Sequence, residues 1–315
     1  MEGRTYEEAC DSFRDVIGKE AMRFPFLETS GKLTVQQRSM YQALVSVDQT
    51  GLFTMSDGAL KTSLQTLSLL LSTHYDDKVI ILIDEYDVPL DKAFRAGYYD
   101  KMISLIRNMF SSVLKSNNSL QFAVMTGCMR ISRESIFTGL NNLRVLSITD
   151  VRFDEYFGFM DREVQDLLDY YDLSGSFNLI KVWYDGYQFG CTDVYCPWDV
   201  LNYCDLLRSN PEAQPQNYWT NTSSNDVVKR FIQEMDKGQT KREIERLVAG
   251  EIITKEIHQE LTYQDMYTTI DNLRSVLFTT GRSISGSFLY SIERRRCSKN
   301  RGAVWHISEE NHQYS

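Results

Sequence analysis

Apolar positions recur at helical spacing from the start of the chain. Phe13, Val16 and Ile17 line one side of a predicted helix over Tyr6–Met22. Thr34 is the expected N-cap of a second helix over 34–47, and Ser56-Asp57-Gly58 opens a third over 59–74, where leucines repeat. The pattern then changes. Val79–Ile83 is an unbroken aliphatic run, apolar on both faces, as a strand buried between helix layers should be. Pro89 is assigned to the loop that follows. Residues 98–114 are helical again, with Met102, Leu105, Ile106 and Met109 inward. A turn at 115–119 leads to a second buried strand, Leu120–Met125, and 144–148 is a weaker third strand. Strands alternating with helices make an α/β fold with a parallel sheet.

Past Thr149 the strands stop. Helices are predicted over 150–169 and 176–184, then from Pro197 in a first turn through Leu207. A polar loop covers 210–217, and further helices are expected over 226–235 and 241–248. Aromatics are dense at Trp183-Tyr184-Asp185-Gly186-Tyr187 and at Tyr218-Trp219. They are read chiefly as core, with Gly186 and Gly190 supplying turns and base stacking a secondary use.

Composition narrows the classes. The chain has 315 residues, 42% hydrophobic and 24% charged, enough to bury a core in one or two domains. A net charge of −9 gives no indication of broad nucleic-acid binding. Six cysteines form no C-x-x-C pair and four histidines are scattered, so no zinc site is expected. No apolar run approaches a membrane span and the first residues lack a signal-peptide core, so the expected compartment is the cytoplasm.

The candidate chemistry lies where the first strand ends, at Asp84-Glu85. Successive side chains at a strand end face opposite sides. One carboxylate can hold magnesium through water while the next polarises an attacking water, which is the positioning that phosphoryl transfer needs. An ordinary acidic strand exit accounts for the pair about as well. Thr126 ends the second strand and can read a phosphate or position water, although a strand-terminating hydroxyl is the simpler account. Arg130 can reach a phosphate of its own or a neighbouring subunit's nucleotide; isolated arginines more commonly form surface ion pairs. Asp87 is assigned to shaping the loop before Pro89. No G-x-x-x-x-G-K-[ST] loop is present: Gly18-Lys19-Glu20 and Gly31-Lys32-Leu33 lack both the upstream glycine and the hydroxyl.

Several strings occur in order: VIILIDEYDVPLDKAF, FAVMTGCMRISRESIFTGLNNL, EYFGF, KVWYDGYQFG, CPWDVLNY and YWTNTSSND. Together they resemble the AAA-ATPase-like family of bacterial P-loop proteins, often fused to a PD-(D/E)xK nuclease-like domain. The resemblance covers about 60–281, and earlier residues match only in helical character. It implies a P-loop NTPase core, incomplete here, over 1–149 and a mainly α-helical lid over 150–281; residues 282–315, short and rich in Ser and Arg, match neither and are expected to be a divergent, disordered tail. It implies Asp84 and Glu85 as a Walker B pair, with Asp84 the cofactor and magnesium ligand and Glu85 catalytic. Thr126 matches the family's sensor-like strand end and Arg130 the arginine of its TGxxRIS string. ATP and Mg2+ are the implied cofactors. ATP binding and hydrolysis are the implied activity, impaired here because the Walker A loop is absent. The alternative is a noncatalytic interaction module that keeps the fold, with self-association or a protein partner left open. In the implied fold the phosphate-loop strand lies between Leu120–Met125 and 144–148, so its absence predicts an open strand edge.

Overall fold

The structure, a computed structural model, describes residues 4–127, 135–137, 143–218, 253–256, 258, 261–266, 268, 269, 271, 272, 275, 276 and 304–307. It divides into two compact units, Met1–Arg144 with Glu260–Tyr263, and Val145–Gln259 with Gln264–Ser315.

The first unit opens with helix α1, Tyr6–Met22, whose N-cap Thr5 accepts from the Glu8 amide. Helix α2, Val35–Val45, starts at Thr34 with a capping box: Thr34 accepts from the Gln37 amide and the Gln37 side chain accepts from the Thr34 amide. Helix α3, Asp57–Tyr75, is capped by Ser56 and ends at Asp76 in the left-handed region, φ 57°. All three follow the sequence pattern closely, because each start carries a hydroxyl that satisfies an otherwise orphaned amide.

Strand β1, Val79–Ile83, is followed by helices α4, Val88–Ala96, and α5, Tyr99–Leu114, and then strand β2, Leu120–Met125. Pro89 lies in the first turn of α4 and not in a loop, a position where its missing amide hydrogen costs nothing. Strands β1 and β2 pair in parallel, so the α4–α5 segment is their crossover. Met102, Leu105, Ile106 and Met109 of α5 are buried as expected. Helices α3 and α5 pack on each other and against the strands.

Two expectations for the sheet fail. The strands are half-buried on one side only: Ile80, Leu82, Phe122 and Val124 share the other face and are 46–75% exposed. The third strand is absent, since 144–148 is irregular. There the backbone is occupied by other partners. The Asp150 carboxylate accepts from the Ser147 amide at 2.7 Å, and the Ile148 carbonyl accepts from the Gly190 amide at 2.7 Å. Such side-chain and turn bonds compete with a ladder. Among the described residues, β1 and β2 therefore pair only with each other.

In the second unit the helix expected over 150–169 begins only at Asp161 (α6, Asp161–Tyr170). Residues before it wrap a hairpin that sequence periodicity missed: β3, Asp185–Phe189, antiparallel to β4, Thr192–Tyr195. Gly190 makes its turn at φ 52°, with no room for a Cβ beside the Asp150 carbonyl, whereas Gly186 lies within β3 and supplies no turn. Helices α7, Phe177–Tyr184, and α8, Pro197–Ser209, complete a core of Val164, Leu168, Ile180, Tyr184, Tyr195, Val200, Tyr203 and Leu207. Strand β5, Ile253–Glu256, pairs with β6, Val304–Ile307, so these four residues of the 282–315 tail form regular structure. The helices expected over 226–235 and 241–248 lie outside the described residues.

Asp161 ties this unit together. Its Oδ1 accepts from the buried Tyr195 hydroxyl at 2.5 Å and its Oδ2 from Lys181 Nζ at 2.6 Å. These bonds, Lys181 foremost, hold the Asp161 carboxyl below the usual carboxylate range, and the same pairing raises Lys181. A depressed folded pKa stabilises above the unfolded value near ~4 and is lost as pH falls through the folded one. Acid titration followed by near-ultraviolet circular dichroism should show the aromatic signal of wild type declining in that window. Asp161→Asn should already be destabilised at neutral pH and show a smaller acid-dependent change. In α3, Asp76→Gly should raise the urea midpoint, with a gain of about 0.5 kcal/mol from relief of the left-handed cap.

Candidate functional site

The register of the parallel pair decides what meets at the strand ends. Ile83 lies opposite Met125. The next residues, Asp84 and Thr126, therefore emerge side by side at the carboxyl end of the sheet. That is where parallel α/β sheets present ligand-binding groups.

Three of the sequence candidates come together there. The Thr126 hydroxyl donates to Asp84 Oδ1, and the Glu85 amide donates to Thr126 Oγ1 at 3.3 Å. The backbone closes around the same threonine: its amide donates to the Ile83 carbonyl at 2.9 Å, and its carbonyl accepts from the Tyr86 amide at 3.0 Å. Asp84, Glu85 and Thr126 are all exposed. Arg130, the fourth candidate, lies outside the described residues.

Glu85 holds a left-handed backbone, φ 52°. Such a conformation costs a non-glycine residue about 1–3 kcal/mol and persists only where neighbours enforce it. Here the Val88 amide donates to the Glu85 carbonyl at 3.2 Å, closing a tight turn before α4. Asp87, at the N-cap position of α4, is buried, 3% exposed. Its carbonyl accepts from the Leu90 and Asp91 amides, each at 3.0 Å, and from the Tyr263 hydroxyl at 3.2 Å. Asp87 thus does more than shape a loop, because it anchors the turn that carries the two exposed carboxylates.

Sequence reasoning gave no site role to Tyr86, Gly127 or Tyr263. The Tyr86 ring packs edge-on against Phe137, centroids 5.5 Å apart. Gly127 follows Thr126 in the chain, which was its only signal. A Cβ there would lie 2.7 Å from Asp87 Oδ1 and 2.8 Å from the Tyr86 ring. Tyr263 is 176 residues from Asp87, so no local pattern links them.

Carboxylate and hydroxyl oxygens are hard donors suited to Mg2+. Among the described residues no group of three or more His, Cys, Asp or Glu is placed to hold a metal ion. Asp84 and Thr126 are oxygen donors of the kind that could contribute to holding such an ion. Gly127→Ala should destabilise the first unit by about 1–3 kcal/mol through overpacking against Tyr86 and Asp87, read from the urea midpoint. Unchanged stability would show that the turn yields easily.

The chain is 33% identical over 150 residues to a protein described as "Uncharacterized protein in vnfD 5'region" from Azotobacter chroococcum mcd 1. The aligned region is 47% of this chain and 28% of that relative, so the chain spans under a third of the relative's length. No solved structure matches. Residues 4–137 match the model of the AAA-ATPase-like family, described as a predicted AAA-ATPase. This match includes α1 and α2, which lie before the resemblance seen in the sequence at about Leu60. Over residues 4–137 the chain is therefore similar to the AAA-ATPase-like family.

Proposed function

We propose that Asp84, Glu85 and Thr126 form the metal- and water-facing part of an ATP-hydrolysing site. The core would be an incomplete P-loop NTPase domain over 1–149, followed by a mainly helical lid over 150–281. The observation that carries this reading is the side-by-side placement of Asp84 and Thr126 at the carboxyl ends of adjacent parallel strands. The family match over 4–137 supports it, and the division between Arg144 and Val145 agrees with a lid that starts near that point.

In this reading each residue has a distinct task. The Thr126 hydroxyl orients the Asp84 carboxylate by donating to Oδ1, which leaves Oδ2 for a cation. Magnesium, when bound, would neutralise phosphate charge. The Glu85 carboxylate accepts a proton from water, and its strained backbone is the cost of holding it in the turn. Arg130 would approach phosphate. The 315 residues contain no glycine-lysine phosphate loop to cradle the β and γ phosphates. Nucleotide affinity of this chain alone is therefore expected to be weak and steady-state phosphate release to stay at background. Equilibrium binding of Mg2+–nucleotide tests the roles. Asp84→Ala should abolish the magnesium-dependent part, while Glu85→Gln should retain it. Equal loss in both variants contradicts the division of labour, and magnesium-dependent turnover that vanishes in Glu85→Gln contradicts the expected inactivity.

A second reading, a noncatalytic interaction module, is favoured by one observation. The exposed sheet face of Ile80, Leu82, Phe122 and Val124 is wholly apolar, and parallel strands are normally covered on both faces. In this case sedimentation velocity should show concentration-dependent association that Leu82→Glu abolishes. A monomer at all concentrations would leave the site reading as the better account. Among the described residues no helix is long and apolar enough to cross a membrane.

A further inference from the structure

The acidic turn is fixed at both ends, and the two ends are held by different parts of the chain. On the upstream side Thr126 receives the Glu85 amide on its hydroxyl and the Tyr86 amide on its carbonyl. On the downstream side the Tyr263 hydroxyl donates to the Asp87 carbonyl at 3.2 Å. Tyr263 belongs to the segment Glu260–Tyr263, which packs within the first unit. The residue is 2% exposed, and its ring forms a triangle with Phe94 and Tyr99, with centroids 5.8 and 5.6 Å away and 5.7 Å between those two. Phe94 lies on α4 and Tyr99 on α5, so the triangle sets the ring against the helix that leaves the turn.

We infer that Tyr263 is a positioning residue for the acidic turn: its hydroxyl, fixed by the aromatic triangle, holds Asp87 and thereby presents Asp84 and Glu85 to a divalent cation. The inference rests on the reading of Asp84 as a metal-facing carboxylate. A buried tyrosine needs a hydrogen-bond partner, and many carbonyls would serve. Here the carbonyl chosen belongs to the residue that ends the turn. The left-handed Glu85 backbone requires enforcement from its surroundings, and the Tyr263 hydroxyl adds a tertiary restraint to the Leu90 and Asp91 amides that α4 already turns to the Asp87 carbonyl. Burial, with the Asp87 and Asp91 carboxylates nearby, raises the Tyr263 phenol well above its ordinary pKa, so it remains a donor across the working pH range.

The test uses Mn2+ alone as a paramagnetic probe, titrated into the full chain while amide line broadening is followed at residues 84–88 and 126–127. Wild type should show broadening localised there, and Asp84→Ala should lose it. Tyr263→Phe keeps the ring and removes only the hydroxyl. It should weaken Mn2+ binding about 3- to 10-fold, as expected for one lost hydrogen bond. Leu44→Ala loosens the first unit at a buried position of α2, which packs on α1 and α3 and not on the triangle; it should lower the melting temperature and leave Mn2+ affinity unchanged. Wild-type affinity in Tyr263→Phe, beside a loss in Asp84→Ala, overturns the role of Tyr263 and leaves the metal reading standing. Equal weakening in Tyr263→Phe and Leu44→Ala also overturns it, since general loosening would do the same. Wild-type affinity in Asp84→Ala overturns the metal reading and this inference with it.

Discussion

The parallel ladder between Val79–Ile83 and Leu120–Met125 is the constraint on which the candidate site depends. Its register brings Ile83 opposite Met125, so Asp84 and Thr126 leave the sheet together. A slip of one residue would turn every side chain of one strand to the other face and separate the hydroxyl from the carboxylate. Two parallel strands do not hold a register unaided. Here α3 and α5 pack on the sheet, and the Thr126 bonds to Ile83, Asp84, Glu85 and Tyr86 extend the ladder past its last regular pair. The same bonds that fix register therefore build the site.

This arrangement concentrates strain and polarity at one end of the sheet. Glu85 is held in an uncommon backbone conformation, Asp87 is buried, and Gly127 admits no side chain. Each is unfavourable or restrictive taken alone. They coexist because the Asp87 carbonyl has helical and tyrosine donors and the Glu85 amide has Thr126. Local violations of this kind collect where function competes with stability. The second unit shows the opposite economy. Its core of aliphatic residues and tyrosines is satisfied by short polar bonds: Tyr184 to the Gln216 carbonyl, Tyr203 to the Ala213 carbonyl and Tyr195 to Asp161.

Helices with hydroxyl caps were the most legible part of the chain. Thr34 and Ser56 announce α2 and α3 because a capping bond spans three residues and is written in adjacent letters. The aliphatic strands were equally plain. The hairpin Asp185–Tyr195 was not, since Trp-Tyr-Asp-Gly-Tyr lacks a clean alternation and its turn at Gly190 is stabilised by a carbonyl more than forty residues earlier. The third strand was expected at 144–148 from apolar content alone, and Ser147 and Asp150 redirected that backbone through side-chain bonds.

By itself the sequence determined the α/β class, the two strands, the capped starts of α2 and α3 and the acidic pair that ends the first strand, because all of these are local in the chain. Tertiary structure decided that Asp84 meets Thr126, that one sheet face stays exposed and that Tyr263 reaches Asp87. Those facts depend on register and on contacts across 42 and 176 residues, and a pairing at that separation leaves no periodic trace in the segments it joins.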